Sequence, residues 1–444
     1  MRSFHPPPPG SDGLSGASDH YRLEENMKRA IVARLALKGQ QTYCLILAAF
    51  FILFLGTTPA ASQSSRPVTD PPARLPLPEL HAVPESGLAR TPPMGWNSWN
   101  KFAEAIDDAT VRAIADAMAS SGMKEAGYTY INIDDTWEGS RDAQGNITGN
   151  RKFPDMKALA DYVHSKGLKI GLYSSPGPRT CAGYEGSYGR EGQDAKTYAA
   201  WGFDYLKYDW CSAGKIYQPS EMQAVYQKMG DALRASGRPI VFSLCQYGLD
   251  DVWKWGAQVD GNLWRTTDDI TDRWERMQEI GFQQFAIASY AQVGHWNDPD
   301  MLEIGNGGMT EDEYRTHMSL WSLLAAPLLA GNDLRAMTDE TRSILMNTEV
   351  IAIDQDPEGR PVKRLSENGA LVVAARPLVS DAWAVGLFNR GGAAANMTVT
   401  WSQLGLHGKL QVRDLWAHDD LGRIANQFSA PVPGHGVVLI TVKP

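Results

Sequence analysis

The sequence lacks an excess of positive charge. Its 51 Asp and Glu residues outnumber its 42 Lys and Arg residues, which gives a formal net charge of −9 at pH 7. Basic residues form nothing longer than pairs such as Lys28-Arg29. Nucleic acids and anionic membrane surfaces are bound through basic patches. We therefore expect neither of them as a partner.

Sequence signals for a cofactor are also missing. No spacing of Cys and His residues resembles a zinc site. No Gly-rich turn of the dinucleotide-binding type follows the first predicted strand. The sequence therefore predicts neither a metal ion nor an organic cofactor.

The N-terminal apolar run is too short for an ordinary membrane helix. It covers residues 45–55, whereas a span needs roughly 20 apolar residues. Basic residues precede it and small residues follow at 58–62, which is the order of a secretion signal. We interpret residues 1–61 as an upstream extension, with the natural start at Met27, plus a signal peptide. Residues 62–89 are rich in Pro and Ser and predict a flexible linker.

Export has consequences for the location of the protein and for its cysteines. The mature protein is expected to be secreted or periplasmic, with no stable membrane association after cleavage. Of the four cysteines, Cys44 lies in the signal, which leaves Cys181, Cys211 and Cys245 in an oxidising compartment. One disulfide and one free thiol is the simplest arrangement of these three.

Between residues 94 and 329, short apolar segments alternate with amphipathic helical patterns. The predicted strands are 95–97, 130–134, 169–173, 205–209, 240–244, 263–266, 296–298 and 327–329. Eight such units predict an α/β fold, a (β/α)₈ TIM barrel over residues 90–357. A doubly wound parallel sheet is the competing architecture.

After residue 357 the pattern changes to short strands separated by turn residues, without helices between them. The predicted strands are 371–375, 383–389, 397–400, 410–415 and 437–442. This pattern predicts a C-terminal antiparallel β domain over residues 358–444.

Polar and charged side chains collect where the predicted barrel strands end. Active sites of such barrels lie at this face. The residues at these ends include Trp96, Asp134, Asp135, Tyr173, Lys207, Asp209, Cys245, Gln246, Arg265, Asp269, Asp298, Asp300 and Met301. Without a phosphate loop or metal cluster, this set favours a pocket for sugar hydroxyls. The 14 tryptophans agree, because indole rings stack on sugars, although a large barrel also buries aromatic residues for packing alone.

Two carboxylates are the candidates for catalysis. Lys207 and Asp209 are two apart on a strand and share a face. The lysine is expected to lower the pKa of Asp209 and to keep it ionised, although an ordinary ion pair at a strand end has the same pattern. Arg265 and Asp269 also have the same parity in the segment that follows the sixth strand. Glycoside hydrolysis commonly uses two carboxyl groups, and Asp209 and Asp269 fit those roles.

Four motifs carry a family resemblance. They are the runs from Leu88 to Trp99, from Asn132 to Trp137, from Leu206 to Cys211 and from Trp296 to Met301. From about Leu88 to its C-terminus the chain resembles the α-galactosidase (melibiase) family, glycoside hydrolase family 27. The resemblance implies a TIM barrel with a C-terminal β-sandwich and a retaining double displacement. The expected substrates are galactose-containing oligosaccharides or polysaccharides such as galactomannans.

The resemblance also implies roles for individual residues. Asp209 would be the nucleophile and Asp269 the acid/base, and Cys181 and Cys211 would form a disulfide beside the nucleophile. The residues implied to contact the sugar are Trp96, Asp134, Asp135, Tyr173, Cys181, Lys207, Arg265, Asp300 and Met301. Relatives often have Glu-Trp where this chain has Gln246-Tyr247 after Cys245. Gln246 and Tyr247 can hydrogen-bond a 2-hydroxyl, and we include all three positions as candidate sugar contacts.

Three alternatives stay open on the sequence. The same fold and mechanism could act on β-L-arabinopyranosides or on α-N-acetylgalactosaminides. A transglycosylase would use the same residues. A non-catalytic galactose-binding barrel is the hypothesis from another class, and the presence of both carboxylates argues against it. The oligomeric state is not indicated.

Overall fold

A closed barrel of parallel strands forms the first part of the computed structural model, which describes residues 72–444. The barrel strands are β1 (Met94–Asn97), β2 (Tyr130–Asn132), β5 (Lys169–Ser174), β6 (Tyr205–Asp209), β7 (Val241–Cys245), β8 (Leu263–Arg265), β9 (Trp296–Asp298) and β10 (Leu328–Ala330). They pair in the order β10-β1-β2-β5-β6-β7-β8-β9. A parallel bridge between Leu302, after β9, and Ala330 in β10 joins the two ends. The sheet is therefore closed.

Helices connect the barrel strands. They are α1 (Trp99–Phe102), α2 (Asp108–Ser120), α3 (Met156–Ser165), α4 (Glu191–Trp201), α5 (Met222–Ala235), α6 (Trp274–Gln283), α7 (Glu311–Leu324), α8 (Asp339–Leu345) and α9 (Thr348–Asp354). Side-chain caps begin several of them. The Asp107 carboxylate accepts from the Thr110 N–H at the start of α2, and Thr310 and Glu313 form a capping box on α7. Such caps satisfy backbone donors that have no partner within the helix.

The structure confirms the predicted barrel. All eight predicted strands are present, each within two residues of its predicted bounds. The doubly wound sheet is wrong, because the two ends of this sheet meet at Leu302 and Ala330. One insertion was not predicted: β3 (Glu138–Arg141) and β4 (Ile147–Gly149) form an antiparallel hairpin directly after β2.

The C-terminal part is the predicted antiparallel β-sandwich. Its strands are β11 (Lys363–Asn368), β12 (Leu371–Pro377), β13 (Trp383–Asn389), β14 (Ala395–Thr400), β15 (Lys409–Asp414), β16 (Asp419–Ala425), β17 (Gln427–Val432) and β18 (Val437–Lys443). Six strands pair in the order β11-β12-β13-β18-β15-β16, and β14 pairs with β17. Val385, Leu387, Val399 and Val412 are among the side chains that fill the space between the sheets.

Arg376 of β12 connects the sandwich to the barrel helices. Its side chain has no exposed surface. The guanidinium donates to the carbonyl oxygens of Ile353, at 2.8 Å, and Ser322, at 3.2 Å. These carbonyls lie in the last turns of α9 and α7, where carbonyls have no i+4 N–H partner within the helix. One buried side chain therefore closes two helix ends.

The segment before β1 has no helix or strand but is held on the barrel. Tyr188 donates from its hydroxyl to the Ala73 carbonyl at 2.7 Å, and Arg234 donates to the Pro84 carbonyl at 2.9 Å. The part of the predicted linker at residues 72–89 is therefore not a flexible connection. The predicted signal peptide lies outside the described residues. Within residues 72–444, no helix is both long and apolar enough to cross a membrane.

Candidate active site

Strand register brings the candidate residues together at one end of the barrel. Tyr173 of β5 lies beside Lys207 of β6, and Asp209 of β6 lies beside Cys245 of β7. Arg265, the last residue of β8, lies beside Asp298 of β9. Because parallel strands all end at the same face, residues that are far apart in sequence surround one pocket.

Asp209 is buried, with 5% of its surface exposed, and both carboxylate oxygens accept a phenolic hydrogen bond. The Tyr247 hydroxyl donates to Oδ1 at 2.7 Å, and the Tyr173 hydroxyl donates to Oδ2 at 3.0 Å. Burial raises the pKa of Asp209 to about 6, although Lys207 and the two tyrosines act to lower it. The sequence-based expectation of a lowered pKa is therefore wrong in its net direction, because desolvation outweighs the lysine.

Lys207 pairs with a different carboxylate. Its ammonium nitrogen lies 2.8 Å from Asp134 Oδ2. The Asn97 side-chain amide donates to the same oxygen at 2.8 Å. Asn97 belongs to the Gly-Trp-Asn-Ser-Trp motif but was not among the predicted site residues. Lys207 and Asn97 together leave Asp134 with a fixed orientation at the end of β2.

Asp135 faces the loop that follows β5. Its Oδ1 accepts from the Thr136 N–H at 2.7 Å, and its Oδ2 accepts from the Ala182 N–H at 2.8 Å. Thr136 has φ 87°, a conformation that is costly for a β-branched residue. Burial raises the pKa of Asp135. Glu138, which the sequence patterns did not indicate, also accepts from Thr136 N, and burial followed by Asp135 raises its pKa.

Arg265 connects the second candidate carboxylate to the barrel. Its guanidinium lies 3.1 Å from Asp269 Oδ1 and 3.0 Å from Asp300 Oδ2. Asp300 Oδ2 also accepts from the Ile270 N–H at 2.9 Å. Arg265 and Asp300 are buried, whereas the Asp269 side chain is 69% exposed. The site therefore combines one desolvated carboxyl group, Asp209, with one that is open to solvent.

Asp298 is a further buried carboxylate below this group. It accepts from the Asp300 N–H at 2.9 Å. Burial raises its pKa to about 6 against the opposing effect of Arg265. Asp298 and Met301 line a cavity of about 20 Å³ together with Lys207 and Arg265. The sequence placed Asp298 among the polar strand-end residues, but the resemblance implied sugar contacts only for Asp300 and Met301 of this motif.

A disulfide joins Cys181, in the loop after β5, to Cys211 after β6, with Cα atoms 4.9 Å apart. Cys245 is free and buried. The sulfurs contact the two tyrosines that bind Asp209. The Tyr173 hydroxyl lies 3.1 Å from Cys211 Sγ, and the Tyr247 hydroxyl lies 3.7 Å from Cys181 Sγ.

Three predicted sugar contacts, Trp96, Cys245 and Gln246, have no exposed surface in this structure. Trp96 is fully buried, and its indole N–H donates to the Asn332 carbonyl at 2.8 Å. Gln246 is also fully buried, and neither atom of its amide has a hydrogen-bond partner. These side chains pack in the wall of the site, whereas Lys207, Tyr247 and Asp269 keep accessible surface. The accessible groups can bind hydroxyls and transfer protons to them.

Comparisons with known proteins agree with this geometry. A family model described as "Alpha galactosidase A" matches residues 91–356, and one described as "Alpha galactosidase C-terminal beta sandwich domain" matches residues 368–442. The chain is 49% identical over 366 residues to an alpha-galactosidase of Cyamopsis tetragonoloba, covering 81% of this chain and 88% of that protein. It is 45% identical over 382 residues to alpha-galactosidase A of Cellvibrio japonicus, covering 80% and 93%.

A solved structure is similar over the same region. The crystal structure of alpha-galactosidase I from Mortierella vinacea superposes with a TM-score of 0.78 at 39% identity. The match covers 81% of this chain and 98% of that one. The similarity therefore extends over both the barrel and the sandwich.

Proposed function

We propose that this chain hydrolyses its substrates by a retaining double displacement, with Asp209 as the nucleophile and Asp269 as the acid/base. The proposal starts from its family: the chain belongs to the alpha-galactosidase (melibiase) family of glycoside hydrolases and is an α-galactosidase. The difference in solvation between the two carboxyl groups is the observation that carries the proposal. Asp209 is buried and hydrogen-bonded through both oxygens, whereas Asp269 is exposed and bound on one side by Arg265. A nucleophile needs a fixed position, and an acid/base needs exchange with water.

In the first step, ionised Asp209 attacks the anomeric carbon of galactose. The carbon–oxygen bond to the leaving group breaks, and that oxygen takes the proton of Asp269. In the second step, Asp269 accepts a proton from water, the water oxygen attacks the anomeric carbon, and the ester bond to Asp209 breaks. Because burial raises the pKa of Asp209 to about 6, the ionised nucleophile predominates above that pH.

Substrates of this enzyme are galactosides, and we infer that the natural ones carry terminal α-D-galactose on oligosaccharides or galactomannans. Asp134 and Asp135 support this assignment. They are short carboxylates side by side at the end of β2, which leaves room for the C6 hydroxymethyl group of galactose. Lys207 holds Asp134, and the loop after β5 holds Asp135.

We also propose that the enzyme is exported. The signal pattern of residues 1–61 and the disulfide between Cys181 and Cys211 support this location, because disulfides persist in oxidising compartments.

The proposed substrate and mechanism are tested together. We expect the purified enzyme to hydrolyse nitrophenyl α-D-galactoside faster than the corresponding β-L-arabinopyranoside or α-N-acetylgalactosaminide, with α-galactose as the first product seen by NMR. A fluorinated α-galactosyl inhibitor should label Asp209, as mapped by mass spectrometry, and Asp209→Asn should neither react with the label nor turn over.

Three outcomes would contradict the proposal. A faster rate on either other sugar would change the substrate assignment, and β-galactose as the first product would exclude retention. A label on any other residue would remove Asp209 from the nucleophile role. Asp269→Ala provides the internal comparison. This variant should lose more activity on raffinose than on aryl galactosides, whose leaving groups need no proton.

A further inference from the structure

Tyr247 departs from the Trp that relatives often carry at this position, and its hydroxyl is hydrogen-bonded to the nucleophile. We propose that Tyr247 is a positioning residue that holds the Asp209 carboxylate through its hydrogen bond to Oδ1. The inference rests on the proposed role of Asp209. It adds a second phenolic donor, from the turn after β7, opposite the Tyr173 donor from β5. With both oxygens bound, the carboxylate cannot rotate about its Cβ–Cγ bond without losing a donor.

The backbone at Tyr247 and at the residue after it has a strained, left-handed conformation. Tyr247 has φ 63° and Gly248 has φ 82°, and a left-handed conformation is unusual for an aromatic residue. A Cβ at Gly248 would lie 2.3 Å from the Thr266 carbonyl oxygen. The turn after β7 is therefore pressed against the end of β8. Strain of this kind persists where the surrounding structure imposes it, often at functional sites.

Contacts on the ring and hydroxyl also restrain Tyr247. The Arg265 guanidinium carbon lies 5.8 Å from the ring centroid, within the range of a cation–π interaction. The hydroxyl lies 3.7 Å from Cys181 Sγ. Arg265 and the disulfide are therefore fixed neighbours of the phenol, and its hydroxyl is directed at Asp209.

The phenol is a neutral donor throughout. Burial, followed by the nearby Cys245 and Asp209, raises the pKa of Tyr247 far above its ordinary value. A donor to a carboxylate stabilises its ionised form. Loss of the Tyr247 hydroxyl should therefore raise the pKa of Asp209 above its value of about 6, and the active ionised form should appear only at higher pH.

Other charged or titratable groups also face Asp209 and remain in place in a Tyr247 variant. They are Lys207 from β6, Tyr173 from β5, Asp134 from the end of β2 and Cys245 from β7. Of these, Lys207 and Tyr173 lower the pKa of Asp209, and Asp134 raises it. Because none of them is changed, the expected shift is attributable to the Tyr247 hydroxyl.

The same hydrogen bond should act in the second chemical step. When the ester between galactose and Asp209 breaks, the electron pair stays on the carboxylate, and a donor to Oδ1 stabilises the charge that develops there. Without that donor the galactosyl-enzyme should break down more slowly. For a substrate with a good leaving group, whose first step is fast, the intermediate should accumulate, so that kcat and KM fall together.

Tyr247→Phe removes one oxygen atom and keeps the ring. We expect the acidic limb of its kcat/KM profile, which reports the free enzyme, to move upward by roughly 1–2 pH units, as the loss of a hydrogen bond to a charged group implies. The pH dependence of inactivation by a fluorinated α-galactosyl inhibitor should move by the same amount. With an activated aryl galactoside, kcat and KM should both fall.

Tyr290→Phe is the matched control, because Tyr290 is an exposed tyrosine on the barrel surface and loses the same atom. Its profile should coincide with that of the unaltered enzyme. If the Tyr247→Phe profile also coincided, the proposed role would be wrong. A folded Tyr247→Phe that was inactive at every pH would contradict it as well, since Tyr173 and Lys207 still act on Asp209. Lack of activity in the unaltered enzyme would instead refute the proposed function.

Discussion

Asp134 and Asp135 are adjacent in the chain, yet their carboxylates have different partners. Asp134 is bound by the side chains of Lys207 and Asn97, whereas Asp135 is bound by two backbone N–H groups, one of them in the loop after β5. The position of Asp135 is compatible with two roles: its carboxylate could bind O6 of the sugar, or it could only hold the loop after β5. Substitution by a longer acid distinguishes these two roles.

Asp135→Glu should change which sugar is preferred. The longer side chain moves the carboxylate by about 1.5 Å into the space for C6, which β-L-arabinopyranosides lack. We expect the ratio of kcat/KM for the α-D-galactoside to that for the β-L-arabinopyranoside to fall by about 10²-fold, part of the ~10⁴ that one buried hydroxyl contact can contribute. This ratio is measured with the nitrophenyl glycosides of the two sugars. Asp142→Glu, in the exposed turn between β3 and β4, is the control. Equal losses on both sugars would leave Asp135 with the loop-closing role alone.

Residue types at strand ends predicted most of the polar site, but not how its charges pair. The spacing of Lys207 and Asp209 correctly indicated a shared face. It gave no information on Asp134, which binds Lys207 from another strand. Glu138 begins a hairpin that no periodicity predicted, and Trp96 lies in a family motif but is buried. Pairing and burial depend on side chains that are distant in sequence, so local patterns could not supply them.

Among the secondary-structure elements, burial explains many of the strands that the sequence predicted or missed. Most residues of the barrel strands are buried, and strands such as β5 and β7 read as largely apolar runs. In the sandwich, β12, β13 and β18 were predicted for the same reason. The sheet-edge strands β11 and β16 were missed because most of their residues are exposed. An edge strand shows no alternation of apolar and polar residues when neither face is covered.

The disulfide joins the loop after β5 to the end of β6, and we expect it to contribute to the free energy of unfolding. Cys181 and Cys211 are 30 residues apart. Loss of a cross-link over a loop of that size should lower the free energy of unfolding by about 2–4 kcal/mol. We expect this loss in a variant carrying both Cys181→Ser and Cys211→Ser, measured by denaturant unfolding against the unaltered protein. When the mature protein is unfolded without a reductant, a thiol assay should find one reactive cysteine. Three reactive cysteines would exclude the disulfide between Cys181 and Cys211.

For the molecule as a whole, the sandwich is joined to the barrel through buried contacts. Phe388 of β13 packs edge-to-face on Phe282 of α6, with ring centroids 5.5 Å apart. Arg376 binds the ends of α7 and α9. The two domains therefore share one apolar core, and we expect them to unfold together.

Arg376→Met should weaken this connection. The substitution keeps much of the apolar stem but removes the guanidinium that donates to buried carbonyls of two helices, a loss of about 2–4 kcal/mol in the free energy of unfolding. Thermal unfolding should show a lower midpoint, while kcat at low temperature should be unchanged. Arg423→Met, at an exposed position on β16, should change the free energy by less than about 0.5 kcal/mol. Equal midpoints for the two variants would show that Arg376 does not hold the domains together.

The exposure of Asp269 determines how this residue exchanges its proton. On the proposed assignment, its carboxyl group gives up a proton in one half-reaction and recovers one in the next, and it can exchange that proton directly with bulk water. No relay of buried donors is then needed between the pocket and the surface. Tyr173 and Tyr247 can therefore serve to hold Asp209, and Lys207 to hold Asp134. The same openness admits alcohols as readily as water, so the concentration of acceptor sugars at the rim should decide how much galactose is released and how much is transferred.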